Sequence, residues 1–540
     1  MAKRKRQWRE GLAAALASGV LVALAYPATS WWPLALCGYV PLLAWLEVRR
    51  PSVRQALFAG WLAGTVLHLA VFPWVRFTMQ EMSGLGPVVS ALVLGLYGLS
   101  MGLHQALWAA VIAWTARETS EASEASLATR AVRAAEIAAL LIAVEMVVPF
   151  VFPWYLGNAL YVAPTLLQAA DVFGIIGLSG LAGWCNAWLA ASRPWQSRRN
   201  GLHAAAGVAI MTGLWWGYGL ARMATIEAAV VEKRLVAAVV QANVQLAEKK
   251  AENARARLPM LDRLERLTLA MKLDDVDLVI WPEGALPFFF VPLEVDDDRP
   301  GIRSRAPPIL LETTRRARQF ASKLGRPLLF GALRRTDKLW REPVRNSAVL
   351  MDGERRVAAY DKQILVPFGE YLPGTSVIPS LAGAIKGISN LAAGEQPGRM
   401  RVAGVELLVT ICYEALFPAA VRAQGLGADV LINLTNDVWF GKTNAAELHL
   451  MVQTPRAVEL RRPLIRSTAS GITALINDRG QILERAPIDV EATRKMVAEV
   501  RATASPWRLW GPWPLWLLVA GVFARLGLVA ARRHRQRATP

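Results

Sequence analysis

Cysteine is scarce in this chain, three in 540 residues, and the three lie too far apart to suggest a disulfide framework. Cys37 and Cys185 fall in long apolar stretches, where cysteine acts as a small packing residue. Cys412 stands alone in a long, more polar segment, at the end of the run Leu407-Leu408-Val409-Thr410-Ile411 and just before Tyr413-Glu414. A thiol with no disulfide partner in reach, placed where a strand ends, reads as a nucleophile. A lone cysteine can equally be inert, so its neighbours must carry the case. Histidine is also scarce. Of five, only His449 falls between residues 223 and 510, and its helix-like surroundings read as structural.

Acidic residues are outnumbered, 42 against 61 basic ones, for a net charge of +19. The excess does not point to nucleic acid, because many of the arginines flank apolar runs. Mean hydropathy is +0.30, too high for a soluble protein of this length. Measured against about 20 residues per helical span, apolar runs cover Gly11–Tyr26, Trp31–Leu46, Ala56–Val75, Pro87–Trp114, Ala134–Phe152, Leu166–Ala191, Leu202–Ala221 and Trp513–Ala530. Lys3, Arg4, Lys5 and Arg6 precede the first run, and Arg49, Arg50 and Arg54 follow the second. Arg117, Arg130 and Arg133 follow the fourth, Arg193, Arg198 and Arg199 the sixth, and Arg532, Arg533, Arg535 and Arg537 the last. The loops between carry almost no charge. By the positive-inside rule both termini are cytoplasmic, and an odd number of crossings puts the central segment outside. The expected organisation is a seven-helix membrane domain over 1–222, an extracytoplasmic domain over 223–510, and a last membrane helix with a basic tail over 511–540. The first run also fits a cleaved signal peptide, which would leave the later orientation unchanged.

From about Arg234 to Val500 the pattern becomes short β-branched runs between polar helical segments. Strands are expected at Leu235–Val240, Val276–Ile280, Pro327–Phe330, Ser347–Met351, Leu407–Ile411, Val430–Leu434 and Ile472–Ile476. Such alternation predicts an α/β domain around a buried sheet, with reactive groups at the carboxyl ends of strands. Two motifs sit there: Trp281-Pro282-Glu283 after one strand, and Cys412 after another. The segment Tyr360-Asp361-Lys362 through Val366-Pro367-Phe368-Gly369-Glu370-Tyr371 adds a lysine and a second glutamate. Each has a plain reading as a solvated surface charge. Together they supply what acyl chemistry at a thiol requires. A buried carboxylate can take the thiol proton, and a fixed ammonium with a backbone N–H can stabilise an oxyanion.

These residues, with Ile411-Cys412-Tyr413-Glu414 and Asn436-Asp437-Val438-Trp439-Phe440-Gly441, resemble the carbon–nitrogen hydrolase (nitrilase) superfamily. With apolar runs on both sides, the whole chain resembles the apolipoprotein N-acyltransferase family within it. Phe152-Pro153-Trp154 with Glu145 upstream, Arg456-Ala457-Val458-Glu459 and Arg466-Ser467-Thr468 agree with that resemblance.

The resemblance implies a multi-span α-helical membrane domain joined to a nitrilase-type αββα sandwich. It implies Glu283 as base, Lys362 as oxyanion stabiliser and Cys412 as nucleophile, supported by Glu370, Tyr413 and Glu414, with no cofactor and no metal. Cys412 would take an acyl chain from a phospholipid, typically phosphatidylethanolamine, and pass it to the α-amine of a diacylglyceryl-cysteine on an apolipoprotein. The enzyme would be a monomer in the bacterial inner membrane, with its catalytic domain on the periplasmic side and no nucleic-acid partner.

Lys249-Lys250 and Ala469-Ser470-Gly471 depart from the family pattern and bear on substrate positioning. Phe288-Phe289-Phe290 and Val377–Leu391 are expected as lids dipping into the membrane interface, and Trp507, Trp510, Trp513 and Trp516 as interfacial anchors. Glu145, within an apolar run, should face protein or water. Two other readings stand beside the acyltransferase: a membrane-tethered amidase using the same three residues, and a transporter with an outer sensory domain.

Overall fold

The computed structural model describes residues 2–116, 126–251, 254–290, 308–335, 344–353, 355–374 and 390–538. The chain divides into two compact units. One comprises Met1–Arg76, Pro87–Glu227 and Ser505–Pro540; the other comprises Phe77–Gly86 and Ala228–Ala504. The breaks come at 227 and 504 because the helix Arg198–Glu227 continues past the apolar run, and the short helix Pro506–Trp510 packs with the helices.

The first unit is helical. Four of its helical stretches are long and apolar enough to cross a membrane: Pro87–Thr115, Ala170–Ser192, Arg198–Glu227 and Trp513–Ala531. The pair Val53–Val71 and Trp74–Ser83, bent by 60°, makes a fifth if read as one span. Outward side chains on these helices are apolar too. Leu96, Leu214 and Leu517 are 68%, 71% and 73% exposed, as expected of helices solvated by hydrocarbon.

Three expected runs come out differently. Trp31–Leu46 is not one helix. It splits into a 3-10 turn Trp32–Leu36 and a ten-residue helix Val40–Arg49, only about 15 Å long at 1.5 Å per residue. Each piece has a proline as its second residue, Pro33 and Pro41, which lacks the N–H that would continue a preceding helix. The run Ala134–Phe152 stops helically at Val147, where Val148 turns extended (ψ 121°) ahead of Pro149, as the residue before proline prefers. The first helix, Ala2–Ala23, begins inside the basic start.

Glu145 is buried. Its Oε1 accepts from the Leu156 N–H at 3.1 Å, and it lines an internal cavity of about 20 Å³ with Tyr26, Tyr39, His68 and His104, room for about one water. Of the expected tryptophan anchors, Trp513 and Trp516 are exposed, and Trp510 donates to the Val172 carbonyl at 3.0 Å. Trp507, by contrast, is 2% exposed. It packs against Gly174 and anchors helices to one another.

The second unit contains two six-stranded sheets. We number the strands β1 Val231–Gln241, β2 Leu278–Ile280, β3 Leu328–Arg334, β4 Arg345–Asp352, β5 Arg355–Asp361, β6 Arg399–Val402, β7 Val405–Ile411, β8 Val430–Thr435, β9 Leu464–Thr468, β10 Ala474–Ile476, β11 Ile482–Arg485 and β12 Ala492–Arg501. The sheet orders are β12-β1-β2-β3-β4-β5 and β11-β10-β9-β8-β7-β6. Side chains alternate faces along each strand. Leu235, Ala237 and Val239 of β1 meet Leu407, Val409 and Ile411 of β7 in a core between the sheets. Ala238 and Val240 pack outward under the helices Leu258–Leu269 and Pro308–Leu324. Leu408 and Leu431 pack outward under Ala445–Leu460. The result is the expected four-layer αββα sandwich.

β1-β2-β3 and β7-β8-β9 are the parallel triplets, so the carboxyl ends of Ile280, Ile411 and Thr435 carry the loops that matter. The segment Phe77–Gly86, not foreseen as part of this unit, packs here. Thr78 donates to the Trp439 carbonyl at 3.2 Å, and Glu81 pairs with Lys250 at 2.7 Å.

Candidate active site

Glu283 follows β2 by three residues, on a turn tied to β3. Gly331 N–H donates to the Pro282 carbonyl at 3.1 Å, and Ala285 N–H donates to the Gly331 carbonyl at 2.8 Å. Position 331 must be glycine for this contact, since a Cβ there would lie 2.5 Å from the Glu283 Cα. Glu283 is 9% exposed, and its Oε1 accepts from Asn346 Nδ2 at 2.7 Å. Burial raises its carboxyl above the usual range, against the pull of Lys362.

Lys362 immediately follows β5, and its N–H donates to the Asn346 carbonyl at 2.8 Å. Its side chain is 1% exposed, which disposes of the surface-lysine reading. Nζ lies 2.8 Å from Glu370 Oε2 and 2.9 Å from Oε1. Burial alone would depress this ammonium, but the Glu370 and Glu283 carboxylates hold it well above its ordinary value. Glu370 is itself fixed, accepting from the Val366 N–H at 2.8 Å and from Asn346 Nδ2 at 3.0 Å. Asn346, on β4, therefore spends its two amide hydrogens on the two glutamates. It was not singled out from the sequence, and the pairing of β4 with both β3 and β5 brings it there.

Cys412 leaves β7 with φ +50°, a left-handed conformation that is costly for a residue with a Cβ. Glu414 holds this turn. It accepts from Ile411 N–H (2.7 Å), Tyr360 hydroxyl (2.6 Å), Gln363 N–H (2.7 Å) and Ile364 N–H (3.1 Å), stapling the cysteine turn to the lysine loop. Tyr413 is buried, with its ring edge-on to Phe417 at 5.0 Å. Cys412 retains partial exposure. Burial and the Glu283 carboxylate push its thiol up to about 12, opposed by Lys362. Glu283, Lys362 and Cys412, from three separate loops, thus lie close enough to act on one another's ionisation.

Around this group sits a second buried cluster. His449 Nδ1 lies 2.9 Å from Asp437 Oδ1, and Arg466 donates to Asp437 Oδ2 at 2.7 Å. Despite burial, these partners hold Asp437 down to about 2. The departure at 469–471 is accommodated here, because a Cβ at Gly471 would fall 2.1 Å from Asp437 Oδ2. At the other departure, Lys249 Nζ donates to the Gly284 carbonyl at 3.1 Å. Burial lowers its ammonium to about 8, while Glu283 pulls it up.

Of the expected lids, Phe290 is a core residue, fully buried and edge-to-face with Phe330 at 5.7 Å. Its N–H donates to the Leu333 carbonyl, so the extension of β3 has captured it. Phe288 and Phe289 are half-buried against Leu310. Most of Val377–Leu391 lies outside the described residues, but Leu391 N–H donates to the Glu370 carbonyl at 2.7 Å.

Comparison with known proteins decides the family. A carbon–nitrogen hydrolase model matches residues 228–508, and an apolipoprotein N-acyltransferase N-terminal domain model matches residues 18–188. The apolipoprotein N-acyltransferase of Bdellovibrio bacteriovorus is 31% identical over 96% of this chain and 94% of its own length. The chain belongs to the apolipoprotein N-acyltransferase family. Proteins of the same name from Geobacter metallireducens and Azotobacter vinelandii are 29% and 30% identical, each over 97% of this chain and 96% of its own. The chain is accordingly an acyltransferase of the carbon–nitrogen hydrolase superfamily, and a membrane enzyme. The amidase alternative has less to stand on, because the family's N-terminal domain is matched as well as its hydrolase domain.

Proposed function

We propose that this enzyme carries an acyl chain from a membrane phospholipid to the N-terminal amine of a lipoprotein through a thioester on Cys412. The observation that carries the reading is the mutual placement of Glu283, Lys362 and Cys412, each pinned by its own buried hydrogen bonds. Glu283 takes the thiol proton as Sγ attacks the ester carbonyl, and Lys362 faces the oxyanion. Collapse breaks the ester C–O bond, the glycerol oxygen receives the proton held on Glu283, and a lysophospholipid leaves. In the second half-reaction the α-amine of a diacylglyceryl-cysteine attacks the thioester. An amide forms, the amine's proton passes through Glu283, and the thiol is restored.

Glu370 and Glu414 position Lys362 and the cysteine turn, and Tyr413 packs beneath that turn. All groups come from one chain, which favours action as a monomer. Phosphatidylethanolamine is the proposed donor. An apolar chain exposed to water costs about 0.8 kcal/mol per CH₂, which favours a site at the membrane surface.

The charge pattern supports eight crossings in the bacterial inner membrane with the α/β unit outside. Mass spectrometry of the Cys412 peptide after incubation with phospholipid should find the donor's acyl mass; an unmodified thiol with turnover intact would remove the thioester from the pathway. For orientation, an impermeant maleimide on spheroplasts should label Cys412 and spare a cysteine placed at Arg54. The reverse pattern inverts the topology.

A further inference from the structure

β8 brings a polar side chain to the nucleophile that the scheme above does not use. Asn433 and Thr435 lie two residues apart on one face of the strand. The Asn433 amide donates to the Cys412 carbonyl at 3.3 Å and to Thr410 Oγ1 at 3.1 Å, which turns this face of β8 toward the cysteine turn. Thr435 is the next residue on that face, at the strand's carboxyl end, where it pairs with Thr468 of β9. It is fully buried.

Its hydroxyl has no aligned hydrogen-bond partner among the described residues, and the parallel register of β7 and β8, Thr410 with Asn433 and Ile411 with Leu434, sets position 435 beside Cys412. Leaving a buried hydroxyl unpaired is unfavourable, and valine would fill the same volume without a polar atom. A position that holds threonine instead points to a partner met only during turnover.

We infer that Thr435 is a further catalytic residue, whose hydroxyl donates a hydrogen bond to Cys412 Sγ as the thiol becomes a thiolate. A hydroxyl suits a sulfur that gains charge. Unpaired in the resting enzyme, it rotates about its C–O bond to donate once Glu283 has taken the proton. The same rotation receives the sulfur again when the amine expels it from the thioester. Hydrogen bonds to ionised acceptors are stronger than neutral ones, so the contribution grows as charge develops on sulfur. The charged and titratable groups facing Cys412 are Glu283, Lys362, Asp437 and His449, the last against the Cys412 backbone, and none is altered by changing position 435.

The inference rests on Cys412 being the nucleophile, and its test reads the sulfur directly. In full-length enzyme with Cys37 and Cys185 replaced by alanine, the rate of Cys412 alkylation by iodoacetamide is measured against pH. Thr435→Val should slow alkylation about tenfold at pH 8–9 and displace the profile upward by about one unit. Thr435→Ser should stay close to the parent. An unchanged profile in Thr435→Val, with a melting temperature matching the parent, overturns the hydrogen bond. Thr435→Ser behaving like Thr435→Val overturns it too, because shape and not the hydroxyl would then be responsible. The two readings fail separately: acyl transfer surviving Cys412→Ser sinks the nucleophile, whereas an unmoved alkylation profile sinks Thr435 alone.

Discussion

Leu214 in the helix Arg198–Glu227 is 71% exposed, whereas Leu407 in β7 has no exposed surface. The same side chain is outward in one unit and sealed between two sheets in the other, and charges follow the same division. In the helical unit, Arg133 is buried against Glu47 and Glu136, each at 2.9 Å, and donates as well to Thr115 and Ile112, with no cysteine among these partners. In the α/β unit, Lys362 is equally buried, but it is shared between Glu370, which holds it, and Glu283, which stands near Cys412. A buried ion pair becomes chemistry only when one of its charges is left facing a reactive atom.

Breaking that arrangement should have severe consequences. Cys412→Ser should lower acyl transfer by on the order of 10³-fold or more, because a serine hydroxyl ionises far less readily than a thiol and the carboxylate of Glu283 is a weak base for it. Glu283→Gln and Lys362→Ala should each cost about 10²–10³-fold in thioester formation, followed by intact-mass analysis. The pH profile carries a sign. Glu283 must be ionised to accept the proton, and its carboxyl is raised above 4.5, so activity should fall as pH drops while still above the ordinary glutamate range. Glu283→Gln should lack that acid limb.

The contrast between the two leucines is tested by truncating both. Leu407→Ala should destabilise by about 2–5 kcal/mol through loss of buried surface and a cavity between the sheets. Leu214→Ala should change stability in lipid by less than about 0.5 kcal/mol. Equal losses in thermal unfolding would erase the distinction between the two units.

Asp437 gives a pH test of stability. Its folded value of about 2 lies below that of an unfolded aspartate, so its contribution is present above about pH 4 and lost as pH falls toward 2, on the order of 2 kcal/mol. Asp437→Asn should flatten that part of the stability curve. The mildest of the losses in activity is that of Asn346→Ala, which removes one hydrogen bond from each of two glutamates. It should be about 10–100-fold, since bonds to charged groups contribute about 1.5–3 kcal/mol, with little change in melting temperature.

Seven of the twelve strands were legible as β-branched runs, among them all three that end at Ile280, Ile411 and Thr435. The five missed were β5, β6, β9, β11 and β12. β11 and β12 carry charges such as Glu484 and Lys495 on half-exposed faces, and β9 contains a buried Arg466. An apolar count passes over such segments, and only their partners across the sheet make them strands. In the helical unit the apolar runs located the helices but not their breaks, because helices apolar all round carry little phase information. The prolines at 33, 41 and 149 were the available signals.

By itself the sequence determined the α/β class of the central segment, the apolar helical runs on either side of it and the residue types for thiol acylation, because hydrophobic period and motif chemistry are local properties of the chain; the αββα arrangement came only with the family resemblance. Tertiary structure decided the rest. Asn346 joins Glu283 to Glu370 only through the pairing of β4 with β3 and β5, Glu414 staples two loops some fifty residues apart, and Thr435 meets Cys412 only because β7 and β8 lie parallel and in register. Phe290 looked like a lid until the extension of β3 drew it into the core. Each of these outcomes depends on which distant backbone a side chain finally meets, and local pattern holds no information about that.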